Sequence, residues 1–76
     1  MKNKYYFTFG QFYRNGNHPL YPKAHADGWV TIIAENQVRA REKAFEIFGP
    51  HFSTNYNDET FDKSFFPKGE IEQIEI

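Results

Sequence analysis

One stretch of this 76-residue chain carries helical periodicity, and that limits the folds open to it. Between Asn36 and the Gly49-Pro50 pair, Val38, Ala40, Ala44, Phe45, Ile47 and Phe48 share one half of a helical wheel; Arg39, Glu42, Lys43 and Glu46 share the other. Asn36 suits an N-cap, because its side-chain oxygen can accept from an orphan amide of the first turn. Gly49 suits the C′ position, with Pro50 beyond it to stop the helix. The spacing predicts a helix from about Gln37 to Phe48, with Arg39–Glu42 and Lys43–Glu46 as i,i+3 ion pairs. A single amphipathic helix cannot bury its own apolar face, so it must cover a sheet.

The flanking segments supply that sheet. Lys4 to Tyr13 alternates, with Tyr5, Phe7 and Phe9 on one face and Tyr6, Thr8 and Gly10 on the other. A bulge at Gly10 would let Phe12 point inward. Arg14 to Gly28 is a connection broken by two Gly and two Pro residues. Trp29 to Ala34 is apolar on both faces, as a central strand is. His51 to Tyr56 forms a third strand, with Phe52, Thr54 and Tyr56 expected on one side. Asn57 to Gly69 is an acidic, aromatic connection; Asp58 to Asp62 can make one helical turn capped by Asn57, and Pro67 and Gly69 a further turn. Glu70 to Ile76 is the last strand, with Ile71 out of step through a bulge or a frayed start. The expected fold is one domain over residues 1–76: a two-layer α+β structure, β-β-α-β-β, with one helix on one face of an antiparallel sheet. The other sheet face, with Tyr6, Thr8, Trp29 and Tyr56 as candidates, is left open unless something covers it.

Composition narrows the chemistry. The chain has no cysteine, which excludes disulfides, thiolate metal sites and a cysteine nucleophile. Two lysines precede the first apolar stretch, but that stretch is short, alternating and without a small-residue cleavage site, so a signal peptide is not expected. No run approaches the roughly 18 apolar residues of a membrane helix, and the expected compartment is the cytoplasm. Net charge is −1, but it is segregated: +4 through Lys43 and −5 from Ala44 onward. Segregated charge suits either a charged partner or neutralisation across the folded sheet.

The candidate chemical sites are weak. His18, His25, Asp27 and His51 have metal-ligand chemistry but match no metal spacing, and the histidines are expected as solvated loop residues. His51 or the Asp58, Glu59 and Asp62 group could move protons only in a pocket that shifts their pKa values. We therefore expect no catalytic residues, no cofactor and no metal. A basic, aromatic set near the N-terminus (Lys2, Lys4, Tyr5, Tyr6, Tyr13, Arg14, Tyr21 and Lys23) could neutralise phosphates and stack bases, which makes nucleic-acid binding the alternative function.

The aromatic count points elsewhere. Nine Phe, five Tyr and one Trp are accompanied by one Met and one Leu, Met1 and Leu20. Phe7, Phe9, Phe45, Phe48 and Phe52 are expected in the core. Tyr13, Tyr21, Phe65 and Phe66 lie in or beside loops. Rings in excess of a small interior, next to charges, have the makeup of a protein–protein hot spot. The expected partner-binding residues are Tyr13, Arg14, Tyr21, Asp58, Glu59, Asp62, Phe65 and Phe66, against a basic partner surface; a homodimer closing the open sheet face competes with this reading.

Several segments also carry a resemblance: Tyr5-Tyr6-Phe7-Thr8-Phe9-Gly10, Gly28-Trp29-Val30, Ala40-Arg41-Glu42-Lys43-Ala44-Phe45, Phe48-Gly49, and Phe61 through Ile71 with its Phe66-Pro67-Lys68-Gly69 stretch. Together they resemble small accessory proteins of bacteriophages and prophages. In size, charge and style of fold the chain is similar to anti-CRISPR and other counter-defence proteins. The resemblance implies a non-enzymatic inhibitor that occupies a host protein or ribonucleoprotein complex in the bacterial cytoplasm. It carries no residue roles.

Overall fold

The computed structural model describes residues 1–10, 18–53 and 55–76. Among the described residues the elements are β1 (Asn3–Thr8), β2 (Gly28–Ala34), α1 (Gln37–Phe48), β3 (Asn55–Asn57), a 3₁₀ turn (Lys63–Phe65) and β4 (Gly69–Glu75). The fold is α+β, with one helix and a four-stranded sheet of order β3-β1-β2-β4.

The helix forms where its local signals lie. The Asn36 side chain accepts from the Arg39 amide at 2.9 Å, and Gly49, at φ 62° and ψ −146°, takes a positive-φ conformation that favours glycine and ends the helix, while its amide donates to the Phe45 carbonyl. Both i,i+3 ion pairs are present, at 3.6 Å for Arg39–Glu42 and 3.4 Å for Lys43–Glu46. The buried stripe is narrower than the wheel suggested. Ala40, Ala44 and Phe48 are sealed against the sheet, whereas Val38 is 67% and Phe45 48% exposed. Two small alanines at i,i+4 make the helix contact, and Val38 and Phe45 lie outside that stripe.

The helix covers the odd-numbered face of β1 and the even-numbered face of β2: Tyr5, Phe7, Phe9, Val30, Ile32 and Ala34. Phe7, Phe48, Ile32 and Val30 are fully buried, each side chain contributing about 1.5–3 kcal/mol through removal from water. Phe52 joins this core, edge-on to Phe7 at 5.4 Å. Tyr56 does not. It pairs with Tyr6 across β1 and β3 and so lies on the opposite face, which corrects the expectation that Phe52 and Tyr56 share a side. Among the described residues β3 spans Asn55–Asn57; Thr54 lies outside them. The expected extension of the first strand through Phe12 and Tyr13 also lies outside them.

The sheet is mixed, not antiparallel throughout. β1 pairs antiparallel with β2 and with β3, but β4 runs parallel to β2. The cause is where the last strand starts. β1 has both edges occupied, which leaves the outer edges of β2 and of the three-residue β3. The Lys68 amide donates to the Asp27 carbonyl at 2.8 Å, which places the start of β4 beside the start of β2. The intervening helix and β3 provide the crossover that a parallel pair needs. Ile71 is the extra residue of a bulge: Trp29 pairs with Glu70 while Val30 pairs with Glu72. Gly28 accommodates it, since a Cβ there would lie 2.9 Å from two Ile71 side-chain carbons. Two ion pairs cross between the oppositely charged parts of the chain, Lys2–Glu75 at 3.3 Å and Lys23–Glu72 at 3.9 Å.

Candidate functional site

Strand alternation places Tyr6 and Thr8 of β1, Trp29 and Thr31 of β2 and Tyr56 of β3 on the face away from the helix. The segment from Asp58 to Lys68 crosses that face and covers it. Asn57 starts the crossing: its side chain accepts from the Glu59 and Thr60 amides at 3.0 and 3.1 Å. The resulting turn sets Phe61 on Tyr6, with ring centroids 4.6 Å apart and planes 10° apart. Phe61 also meets Trp29 at 5.2 Å, Tyr56 at 5.4 Å and Phe66 at 5.3 Å. A second aromatic cluster thus forms, separate from the one under the helix.

Polar bonds hold the crossing in place. The Tyr6 hydroxyl donates to Asp58 Oδ1. Burial, and then that bond to a carboxylate, push the Tyr6 phenol up to about 12. The Trp29 indole donates to Thr31 Oγ1 at 3.2 Å, and Thr31 donates to Glu70 Oε2 at 3.0 Å. Lys63 places its ammonium 5.6 Å from the Tyr6 ring centre, within cation–π range. Asp62 accepts from the Ser64 hydroxyl at 2.5 Å and the Ser64 amide at 3.0 Å. These bonds hold its carboxyl below the usual carboxylate range and cap the 3₁₀ turn.

That turn separates two adjacent rings. Phe66 is half-buried against Phe61 and faces Trp29 edge-on at 6.4 Å. Phe65 is 74% exposed. Between them is a groove of about 240 Å³ lined by Tyr56, Thr60, Phe61, Asp62, Phe65 and Phe66. Of the expected contact residues, Asp62, Phe65 and Phe66 meet at this groove. Asp58 and Glu59 are exposed on the preceding turn. Tyr56 and Phe61 belong to the site and were not expected there; the signal was the sheet face carrying Tyr6, Thr8, Trp29 and Tyr56, which needed a cover.

Tyr21 is a correction. It is 7% exposed, packs on Phe48 at 5.0 Å, and donates to Glu72 Oε1 at 2.5 Å, so it is a core residue and not the exposed loop ring expected. Its burial and the Glu72 carboxylate raise its pKa. Tyr13 and Arg14 lie outside the described residues. Tyr5 and Tyr6 are also buried. Three rings of the basic, aromatic set therefore lie in the interior rather than on the surface.

His18 is a second correction. It is 4% exposed rather than solvated. Its Nδ1 accepts from the Leu20 amide at 3.1 Å and the Tyr21 amide at 2.9 Å. Two donors at Nδ1 place the proton on Nε2, which donates to the His51 carbonyl at 2.7 Å. Burial lowers its pKa, opposed in part by that bond. The imidazole thus ties the 18–21 turn to the segment after α1. Among the described residues no three His, Asp or Glu side chains gather as a metal-holding group.

No helix among the described residues is long and apolar enough to cross a membrane. No protein-family model, curated protein or solved structure matches the chain.

Proposed function

We propose that this chain is a non-enzymatic binding protein that docks the groove beside Phe65 on a basic surface of another macromolecule. The observation that carries the reading is Phe65 itself. A large ring lies 74% exposed at the rim of a groove whose other rings are fixed by their own packing. An exposed aromatic on a rigid base, with charges around it, is the arrangement from which binding hot spots are built. Asp58, Glu59 and Asp62 provide an acidic rim on the same segment, and complementary charge favours a partner rich in lysine or arginine.

The groove suits binding better than catalysis. Its carboxylate, Asp62, is held ionised by two bonds from Ser64. A group so stabilised is a poor proton acceptor near neutral pH. In keeping with the resemblance to phage accessory proteins, the proposed partner is a bacterial protein or ribonucleoprotein complex, and the proposed effect is inhibition by occupancy. Affinity capture from a bacterial lysate tests this. The wild-type chain should retain a discrete, salt-sensitive partner that a Phe65→Ala matrix does not retain. Equal capture by both would overturn it.

A further inference from the structure

We propose that the outer edge of β4 accepts an extended segment of another protein as a fifth strand, and that this segment alternates apolar and basic residues. β4 is the longer of the two sheet edges, seven residues against three in β3. Among the described residues no strand pairs with its outer side. The direction of its backbone groups follows from one bond. The Ile76 amide donates to the Ile33 carbonyl at 3.0 Å. Backbone groups alternate sides along a strand, so Ile74 and Glu72 also face β2, while Gln73 and Glu75 turn their N–H and C=O groups outward.

Two further features say what fits there. On the helix side of the sheet, a groove of about 290 Å³ runs between α1 and the end of β4, lined by Arg39, Glu42, Lys43, Glu46 and Ile76. An edge strand beside a helix-walled groove is the geometry of strand addition: the backbone supplies affinity, and every second side chain enters the groove. The groove's four charged lining residues pair with one another, Arg39 with Glu42 and Lys43 with Glu46, which leaves Ile76 as the apolar lining residue and favours apolar inward side chains beside it on the added strand. On the other face, the register places Glu70, Gln73 and Glu75 beside Trp29, Thr31 and Ile33. The strand carries three glutamates and no basic residue. Neighbouring strands lie about 4.8 Å apart, close enough for lysine or arginine on the added strand to pair with Glu70, which accepts from Thr31 through one oxygen, and to share or take over Glu75 from the exposed Lys2 pair. A second copy of β4 would bring further glutamates to the same edge, which disfavours self-pairing.

The test uses the whole chain and an acetylated, amidated octapeptide alternating lysine and valine, with a glutamate–valine peptide as its counterpart. In hydrogen exchange the lysine peptide should protect the Gln73 and Glu75 amides at least about tenfold, and the glutamate peptide should bind at least about tenfold more weakly. Gln73→Pro removes one outward N–H without touching the β2 ladder and should weaken binding by about tenfold. If that variant fails to fold, a lysine–valine peptide N-methylated at alternate residues should show the same loss on the wild-type chain. Phe65→Ala should leave peptide affinity unchanged, which separates this edge from the aromatic groove. Unaltered exchange at Gln73 and Glu75, equal binding of both peptides, or a dimer that already protects these amides would overturn the proposal.

Discussion

Tyr6 and Phe61 stack nearly parallel across the face of the sheet that the helix leaves uncovered, with ring centroids 4.6 Å apart. Fifty-four positions of chain separate them, so this contact records how the second half of the molecule folds back over the first. It gives the sheet aromatic cover on the second side and leaves Phe65 outside that cover.

Phe61→Ala should therefore act on stability. The ring touches Tyr6, Trp29, Tyr56 and Phe66. Removing it should cost about 2–4 kcal/mol, less than a fully enclosed phenylalanine because Phe61 is half-buried. In a domain of this size that lowers the melting temperature by roughly 10–20 °C. Thermal unfolding followed by circular dichroism checks it; a shift below about 2 °C would show that the second aromatic cluster contributes little.

His18 should make stability depend on pH. Its usual value is 6.5, and burial holds the folded imidazole below that. The unfolded chain then takes up the proton first as pH falls. The stabilisation is present in full above about pH 6.5 and is lost as pH falls through the window beneath it. Urea midpoints at pH 7.5 and 5.0 should drop toward acid in the wild type. His18→Gln should start lower at pH 7.5 and lose less between the two pH values. A wild-type midpoint that does not change would contradict the bonding assigned to Nδ1.

Gly28→Ala should clash where β4 bulges. The added methyl would lie 2.9 Å from Ile71 Cδ1 and Cγ1 and 3.1 Å from the Gly69 carbonyl oxygen. The expected cost is about 1–3 kcal/mol. Ile71→Ala in the same chain should return part of it, giving a coupling of at least about 0.5 kcal/mol in a double-mutant cycle. Strict additivity would mean that the Ile71 side chain is not what occupies this space.

The features legible in the sequence were local ones. Asn36, Gly49 and the spacing between them mark α1 because capping and periodicity act within a few residues. The out-of-step Ile71 pointed to the bulge for the same reason. The direction of β4 was not legible, since it depends on the Lys68–Asp27 bond between distant segments. Val38 and Phe45 looked interior because a helical wheel assigns half the circumference, whereas the fully buried stripe is Ala40, Ala44 and Phe48, with Ile47 partly buried beside it. Phe65 and Phe66 are adjacent and chemically identical; only the 3₁₀ turn capped by Asp62 separates their roles. Phe61 escaped notice within an acidic turn because its stacking partner is more than fifty residues away. Tyr21 looked like a loop ring because nothing local to it announces Phe48 or Glu72.

The most direct measurement compares Phe65→Ala with the wild type in two respects, melting temperature and affinity for the captured partner by calorimetry. An exposed ring that serves binding should leave the melting temperature within about 2 °C while Kd rises at least about tenfold. A large fall in melting temperature, or an unchanged Kd, would contradict the assignment of Phe65 to partner binding.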